Sequence, residues 1–486
     1  MAIAEEPLII FADDFIERVN IAWRVEQGRK DPKNPLLTPR YPWDAAGPFS
    51  HGTVLKDPLD GLWKMWNIST SLNMPYDAYD HHRQLTYAFS EDGVNWVRPE
   101  LGICSYEGYA KTNILLDFAS GGKCSMASVL INPESPTDRR YEMFIFREPW
   151  HNNPSGRIKG LPLPAGQQKH PYGLYRYFSD DGLHWRPVEG PVKLKTSDSL
   201  FVYNDLGLEH RYVAYHKTEI PVFPGGLVPY DVAGGGLRIL ARRTSADGTT
   251  WSDPFQIMIA PDWRDPQDTQ FMELAPIRQG QGLVATLTTY HNLNQEIDLQ
   301  FAASPDGVKW WRPIPRRPCL TLEPLGDYGG GMLWPMRRMV DDGDRLYLYY
   351  AGLEGLHGNL YAREPKCLQF LGGVCRASWE KGRLWAAVPS VGGPSEAVLT
   401  TRLQEAAGKR LFINAVTLDD GELTAELLDS ERKPVPGFTR KDCIPFRGDS
   451  KRSMLRWTDA DRCAVPKAYV RFCLKRSRLY GYEFNV

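Results

Sequence analysis

A seven-residue pattern, Ser-x-Asp-Gly-x-x-Trp, occurs four times in the chain: "SEDGVNW" (Ser90 to Trp96), "SDDGLHW" (Ser179 to Trp185), "SADGTTW" (Ser245 to Trp251) and "SPDGVKW" (Ser304 to Trp310). An acid and a glycine between a serine and a tryptophan describe a tight turn, with glycine free to take φ > 0. Four copies at wide, uneven spacing mark a repeated supersecondary unit. One active site has no use for four equivalent acids, so Asp92, Asp181, Asp247 and Asp306 are expected to be structural.

Each copy follows a strand-like run: "QLTYAFS", "YGLYRYFS", "LRILARRTS" and "DLQFAAS". These runs are rich in β-branched and aromatic residues. Two more strand signals precede each run, as in "HGTVLKDPLDGLWKMWN" around Asp60-Gly61. The turn is therefore predicted to join the third and fourth strands of a unit. A fifth unit is read at "MLWPMRRMVDDGDRLYLYYAGLE", with a degenerate turn in "VCRASWEKGRLWAA". No helical pattern of 10 to 15 residues alternates with the strands, so a parallel α/β sheet is disfavoured. Short antiparallel sheets closing radially resolve the problem of so many edges, which predicts an all-β chain built on a five-bladed β-propeller. Beyond about residue 390 the motif disappears, and alternating strands such as "AYVRFCLKRSRLYGYEFNV" predict a β-sandwich. The expected division is a propeller over 1–388 and a C-terminal sandwich over 396–486, with a linker near "VPSVGGPSEAV".

Composition removes several classes of function. With 58 basic and 59 acidic residues there is no electrostatic footprint for nucleic acid or an anionic membrane. No apolar run approaches the roughly 18 residues of a membrane helix, and the start "MAIAEEPLIIFADDF" has no signal-peptide plan. The eight cysteines show no Cys-x-x-Cys pair, which argues against a zinc site or a disulfide scaffold and for buried thiols. His81-His82, His216 and His291 lack compact ligand spacing, and no phosphate-binding glycine loop opens a helix, so neither a catalytic metal nor a nucleotide cofactor is expected. A structural cation such as calcium is left open, as is the oligomeric state.

The blade turns, the strand openings "HGTVLKD" and "SLFVYNDLGLEHRYVAYHK", and the C-terminal "NAVTLDDGELTAELLD…PVPGF" give the chain its likeness to known proteins. It resembles the furanosidase-type glycoside hydrolases of families 32 and 43. That resemblance implies a five-bladed propeller with three acids projecting into an axial pocket: a nucleophile or base, a transition-state stabiliser and a glutamate as general acid. Cleavage of a glycosidic bond needs one carboxylic acid to protonate the leaving oxygen and one carboxylate on the opposite face. By position the resemblance points to Asp44 in "YPWDAAGPFSHGTV" as nucleophile or base, Glu273 in "RDPQDTQFMELAP" as general acid, and Asp198 or Asp268 as stabiliser. The sequence departs from the family in lacking its Asn-Asp-Pro at Asp44, in placing an Arg-Asp-Pro triplet (Arg264 to Pro266) on the fourth unit, and in having Ser125 where the second unit should carry an acid. Glu273 lies in an apolar run between Met272 and Leu274, where an acid must be solvated in a pocket or paired.

The second strands of the five units end in Asn67, Arg147, His216, His291 and Glu354. Equivalent ends gather on one face, so Arg147, His216, His291 and Glu354 are expected to ring the same mouth as the acids and bind substrate hydroxyls, together with His51. Trp43, Trp150 and Trp334 stand beside these positions and are candidates for stacking on a sugar. The function expected is a glycosidase acting on a carbohydrate, at a terminal furanoside or related bond. The alternatives are a sialidase-like enzyme, a lyase for uronic-acid glycans using Arg147 and the histidines, and a non-catalytic glycan-binding propeller.

Overall fold

The computed structural model describes residues 7–11, 14–71, 83–117, 122–132, 135, 137–148, 173–194, 199–221, 236–253, 255–357, 372–391 and 396–486. The described chain is all-β, with short 3₁₀ turns and no α-helix, and so no helix long and apolar enough to cross a membrane. Three four-stranded antiparallel meanders follow one another. The first runs Gly47–Lys56, Trp63–Thr70, Arg83–Ser90, Ile114–Leu116; the second Lys123–Ile131, Tyr141–Glu148, Gly173–Ser179, Arg186–Pro187; the third Leu200–Tyr203, Tyr212–Pro221, Gly236–Ser245, Gln256–Ile259. A larger sheet begins with the meander Thr269–Gln279, Gly282–His291, Glu296–Ser304. A single parallel pairing of Ile297 with Met332 continues it into Met332–Pro335, Arg345–Leu353 and Gly372–Glu380. The outer edge of this last group is taken by Arg29–Lys30, from the other end of the chain.

Small polar groups stitch the first strands of successive units together. Thr53 donates to the carbonyl of Ala127 (2.8 Å) and accepts from the N–H of Val129 (2.9 Å). Ser128 accepts from the N–H of Val202, and Ser199 donates to the carbonyl of Met272, each at 3.0 Å. The Tyr203 hydroxyl donates to the carbonyl of Arg337 at 2.6 Å, and the Arg337 N–H donates to the carbonyl of Gly52 at 2.8 Å, which returns the series to the first sheet. Buried backbone and hydroxyl groups are thereby paired between sheets that share no ladder.

The four repeated turns have one design. In each, the serine hydroxyl accepts the glycine N–H at 2.8 to 2.9 Å, and the Asp carboxylate accepts two following backbone N–H groups. The glycines sit at φ +72, +77, +75 and +70. Each turn also docks on the neighbouring unit. The Tyr349 hydroxyl donates to the Gly93 carbonyl (2.6 Å), Trp66 Nε1 to Gly182 (2.7 Å), Arg176 Nη1 to Asp247 (2.8 Å) and the Tyr215 hydroxyl to Gly307 (2.8 Å). A Cβ on Gly93 would stand 2.5 Å from that tyrosine oxygen, so the glycine serves close approach as well as positive φ.

The remaining sheet has eight strands. The order Phe15–Val19, Glu396–Thr401, Lys467–Asn485, Trp385–Pro389, Ile21–Val25 forms its spine, and Arg410–Leu428 pairs along Lys467–Asn485. It therefore takes strands from both sides of the 388/396 division expected from sequence, including two from the first 25 residues. One hydrophobic core joins this sheet to the fourth and fifth units, with Trp385 packed against Phe301 (5.8 Å) and Trp311 (5.6 Å). The described cysteines are free thiols, all buried but Cys104; Cys367 lies outside the described residues.

Candidate active site

Three of the first strands carry a β-bulge: between Phe49 and Thr53, between Ser125 and Ser128, and between Phe271 and Glu273. A bulge breaks the two-residue alternation and re-aims a side chain. His51 and Met126 lie inside the first two bulges at φ +53 and +57, a left-handed conformation that costs a β-strand residue about 1–3 kcal/mol. Beyond the third bulge stands Glu273, which is 3 % exposed.

The Glu273 carboxyl faces neighbours from two other units. His51 Nε2 is 3.5 Å from Oε1, and Ser199 Oγ is 3.4 Å from the same oxygen. His51 is held edge-on to the Trp334 ring, with centroids 4.9 Å apart, and Trp334 in turn neighbours His357 at 6.2 Å. His357 lies 4.8 Å from the Tyr290 ring, and Arg238 covers Tyr290 at 5.5 Å. A carboxyl withdrawn from water is tolerated only with such partners, and these stand slightly beyond ideal hydrogen-bond length. Ser199, Arg238, Tyr290 and His357 were not singled out from sequence, because they come from four separate segments and meet only through the order of the sheets.

The strand register brings the predicted second-strand ends level with the starts of the first strands. Arg147 pairs with Cys124, His216 with Leu200, and His291 with Thr269. Asn67 pairs with Thr86 further down its sheet, and Glu354 is half-buried just past Leu353. Arg147 donates from Nη2 to the carbonyls of Asp117 (3.1 Å) and Gly122 (3.0 Å). His216 donates from Nδ1 to the Lys217 carbonyl, and burial pushes its pKa down to about 4, so the ring is neutral at pH 7. Its Nε2 is buried with no hydrogen-bond partner among the described residues. For His291 burial acts downward, but its 3.1 Å contact with Asp298 raises the pKa overall.

Other predicted site residues are engaged elsewhere. Asp44 ends the 3₁₀ turn Pro42–Asp44, where its carboxylate accepts the N–H groups of Arg40 (2.8 Å) and Tyr41 (2.7 Å) and meets Arg98 Nη1 at 3.0 Å. Burial pushes this carboxyl up, yet three donors converge on it, and beside a guanidinium the ionised form fits. These contacts make Asp44 a buried cap, and none of them is to Glu273. Trp43 is likewise covered, stacked on Tyr41 at 4.5 Å and donating Nε1 to Asn113. Asp268 accepts the N–H of Leu293 at 3.2 Å and anchors the turn after His291. Asp265, from the Arg-Asp-Pro triplet, forms a bidentate pair with Arg312 at 2.7 and 2.6 Å. Asp198, Trp150, His81 and His82 lie outside the described residues. Among the described residues, no group of three or more His, Cys, Asp or Glu could hold a metal ion.

No protein-family model matches the chain, and no curated protein matches it. Solved structures that it resembles include a glycoside hydrolase (12% identity, TM-score 0.46, 74% of this chain and 92% of that one). A glycosyl hydrolase from Bacteroides ovatus matches at 14% identity and TM-score 0.45, over 78% of this chain and 98% of that one. An N-acetylgalactosamine deacetylase from F. plautii, solved with blood group B trisaccharide, matches at 15% identity and TM-score 0.45, over 74% and 95%.

Proposed function

We propose that the chain is a glycosidase of the furanosidase type, comparable to families 32 and 43, with Glu273 as general acid. In this proposal the five successive strand units are the blades of a propeller over 1–388, and the C-terminal segment 396–486 is a sandwich that also recruits the two N-terminal strands. The observation that carries it is Glu273: a buried carboxyl set off by a bulge and met by groups from two other units. Residues that converge on one acid from several sheets are the arrangement that a central pocket requires.

The chemistry follows from the two-carboxylate rule. Glu273 protonates the leaving oxygen, and a second carboxylate acts on the opposite face, as nucleophile at about 5 Å separation or through water at about 6.5–9.5 Å. Asp198 is proposed for that second role, because it immediately precedes Ser199, whose hydroxyl reaches Glu273. Asp44, with its oxygens committed to a local cap, and Asp268, which accepts the Leu293 N–H, are proposed to shape the pocket wall. His51 and Trp334 line the sugar site beside the acid, while Arg147, His216, His291 and Glu354 bound it at the strand ends.

A screen of chromogenic furanosides and pyranosides, with product analysis, tests the proposal. Hydrolysis giving water-incorporated sugar, reduced about 10²–10⁴-fold in Glu273→Gln, is expected. An unsaturated product absorbing in the ultraviolet would identify a lyase, and full activity of Glu273→Gln would remove the general-acid assignment.

A further inference from the structure

A polar cavity is lined by residues that include none of those around Glu273. It occupies about 750 Å³ between the second and third sheets, at the opposite end of Tyr141–Glu148 from Arg147. Its wall is a ladder of alternating guanidinium and aromatic groups. Arg139 and Arg176 cover the Phe178 ring at 5.1 and 4.8 Å, and Arg176 and Arg211 cover the Tyr212 ring at 5.6 and 5.3 Å. Arg186 adds a fourth cation to the lining.

The carboxylates in the lining do not neutralise this set. Glu142, wholly buried, is committed to Arg176 Nε (2.6 Å), with Tyr212 (3.0 Å) and Asn132 (3.2 Å) on its other oxygen. The Asp247 carboxylate is occupied by the backbone of its own turn. Asp138 stands 3.9 Å from Arg139, and Asp180 stands 3.9 Å from Arg186, both loose pairs between exposed side chains. Arg211 has no ion pair among the described residues. Arg139 and Arg186 thus meet their carboxylates only loosely, and an oxyanion shared with Arg211 would relieve the repulsion among them. The Phe178 and Tyr212 rings lie beneath the Arg139 and Arg211 guanidinium groups, whose forked donors match an oxyanion.

We propose that this crevice binds an oxyanion, presented either by an acidic sugar or as a free inorganic anion, with Arg139 and Arg211 as its principal donors. The site is independent of the chemistry at Glu273. Calorimetric titration of the full chain with trigalacturonate, sodium sulfate and neutral maltotriose tests it. Binding of trigalacturonate or sulfate, weakened about tenfold or more in Arg139→Ala/Arg211→Ala and by added salt, is expected. Both arginines are exposed, so the double variant should keep its melting temperature. Trigalacturonate binding well above sulfate assigns an acidic glycan, and equal binding assigns the inorganic ion. No binding of either anion at about 10 mM, binding of maltotriose equal to trigalacturonate, or affinity unchanged in the double variant overturns the proposal.

Discussion

The acids of the four repeated turns and the acid at Glu273 show two opposite ways of housing a carboxylate. At the turns, every Asp is near the surface and saturated by short local bonds, and its pKa is lowered. For Asp92 the leading cause is the Asn95 N–H, joined by Val94 and Ser90. Glu273 is buried, stands beyond a bulge, and meets partners at 3.4 and 3.5 Å that come from other sheets. Repetition with full local satisfaction goes with a structural part. A single buried acid whose contacts come from other sheets goes with a part that the assembly of several units builds.

The largest structural effect that would sharpen this contrast is at the turn glycines. Gly93→Ala places a Cβ at φ +72 and 2.5 Å from the Tyr349 hydroxyl, which breaks both the turn and its docking contact. A loss of ~2–4 kcal/mol in chemical denaturation is expected. Activity per folded molecule should be unchanged; a wild-type unfolding midpoint would show that the turn does not pin adjacent units.

The two regions also separate in pH. His216, lowered to about 4 by burial, is neutral when folded but titrates near 6.5 when unfolded. Its contribution is fully present above pH 6.5 and is lost as pH falls toward 4, roughly 3 kcal/mol in all. The turn acids act lower. For Asp181 burial works upward, but hydrogen bonds from the His184 side chain and the backbone of His184 and Leu183 bring it down to about 2. That contribution is present above about pH 4 and is lost between pH 4 and 2. His216→Gln should flatten the upper part of a stability-versus-pH curve and leave the lower part alone. A smaller effect, ~1 kcal/mol at pH 7 with the lower limb shallower, is expected for Asp181→Ala. Finding both changes in the same pH window would break the distinction.

The turn repeats were legible because their chemistry is local: serine, aspartate and glycine satisfy one another within four residues. Arg147 and His291 do stand at the ends of their strands, as the hydrophobic alternation and the turns imply, whereas His216 is not an end, its strand running on to Pro221. Phe15–Val19 and Ile21–Val25 could not be placed from sequence, because their partners in Trp385–Pro389 and Glu396–Thr401 lie at the far end of the chain and short strands carry no address. The bulges left no mark either: one extra residue changes a side chain's direction without changing composition. Asp44 illustrates the cost of arguing by position, since its place ahead of the first strand resembles a catalytic acid while Arg98, which satisfies it, lies 54 residues on.

The central claim is that Glu273 delivers a proton to a leaving group. It is tested most directly by comparing wild type with Glu273→Ala on aryl glycosides of the preferred sugar that differ only in leaving-group acidity. The account predicts a loss of about 10²–10⁴-fold in kcat/KM with a poor leaving group such as phenyl, and near-wild-type kcat/KM with dinitrophenyl, which departs without protonation. Equal losses on both, or no loss on either, would contradict it.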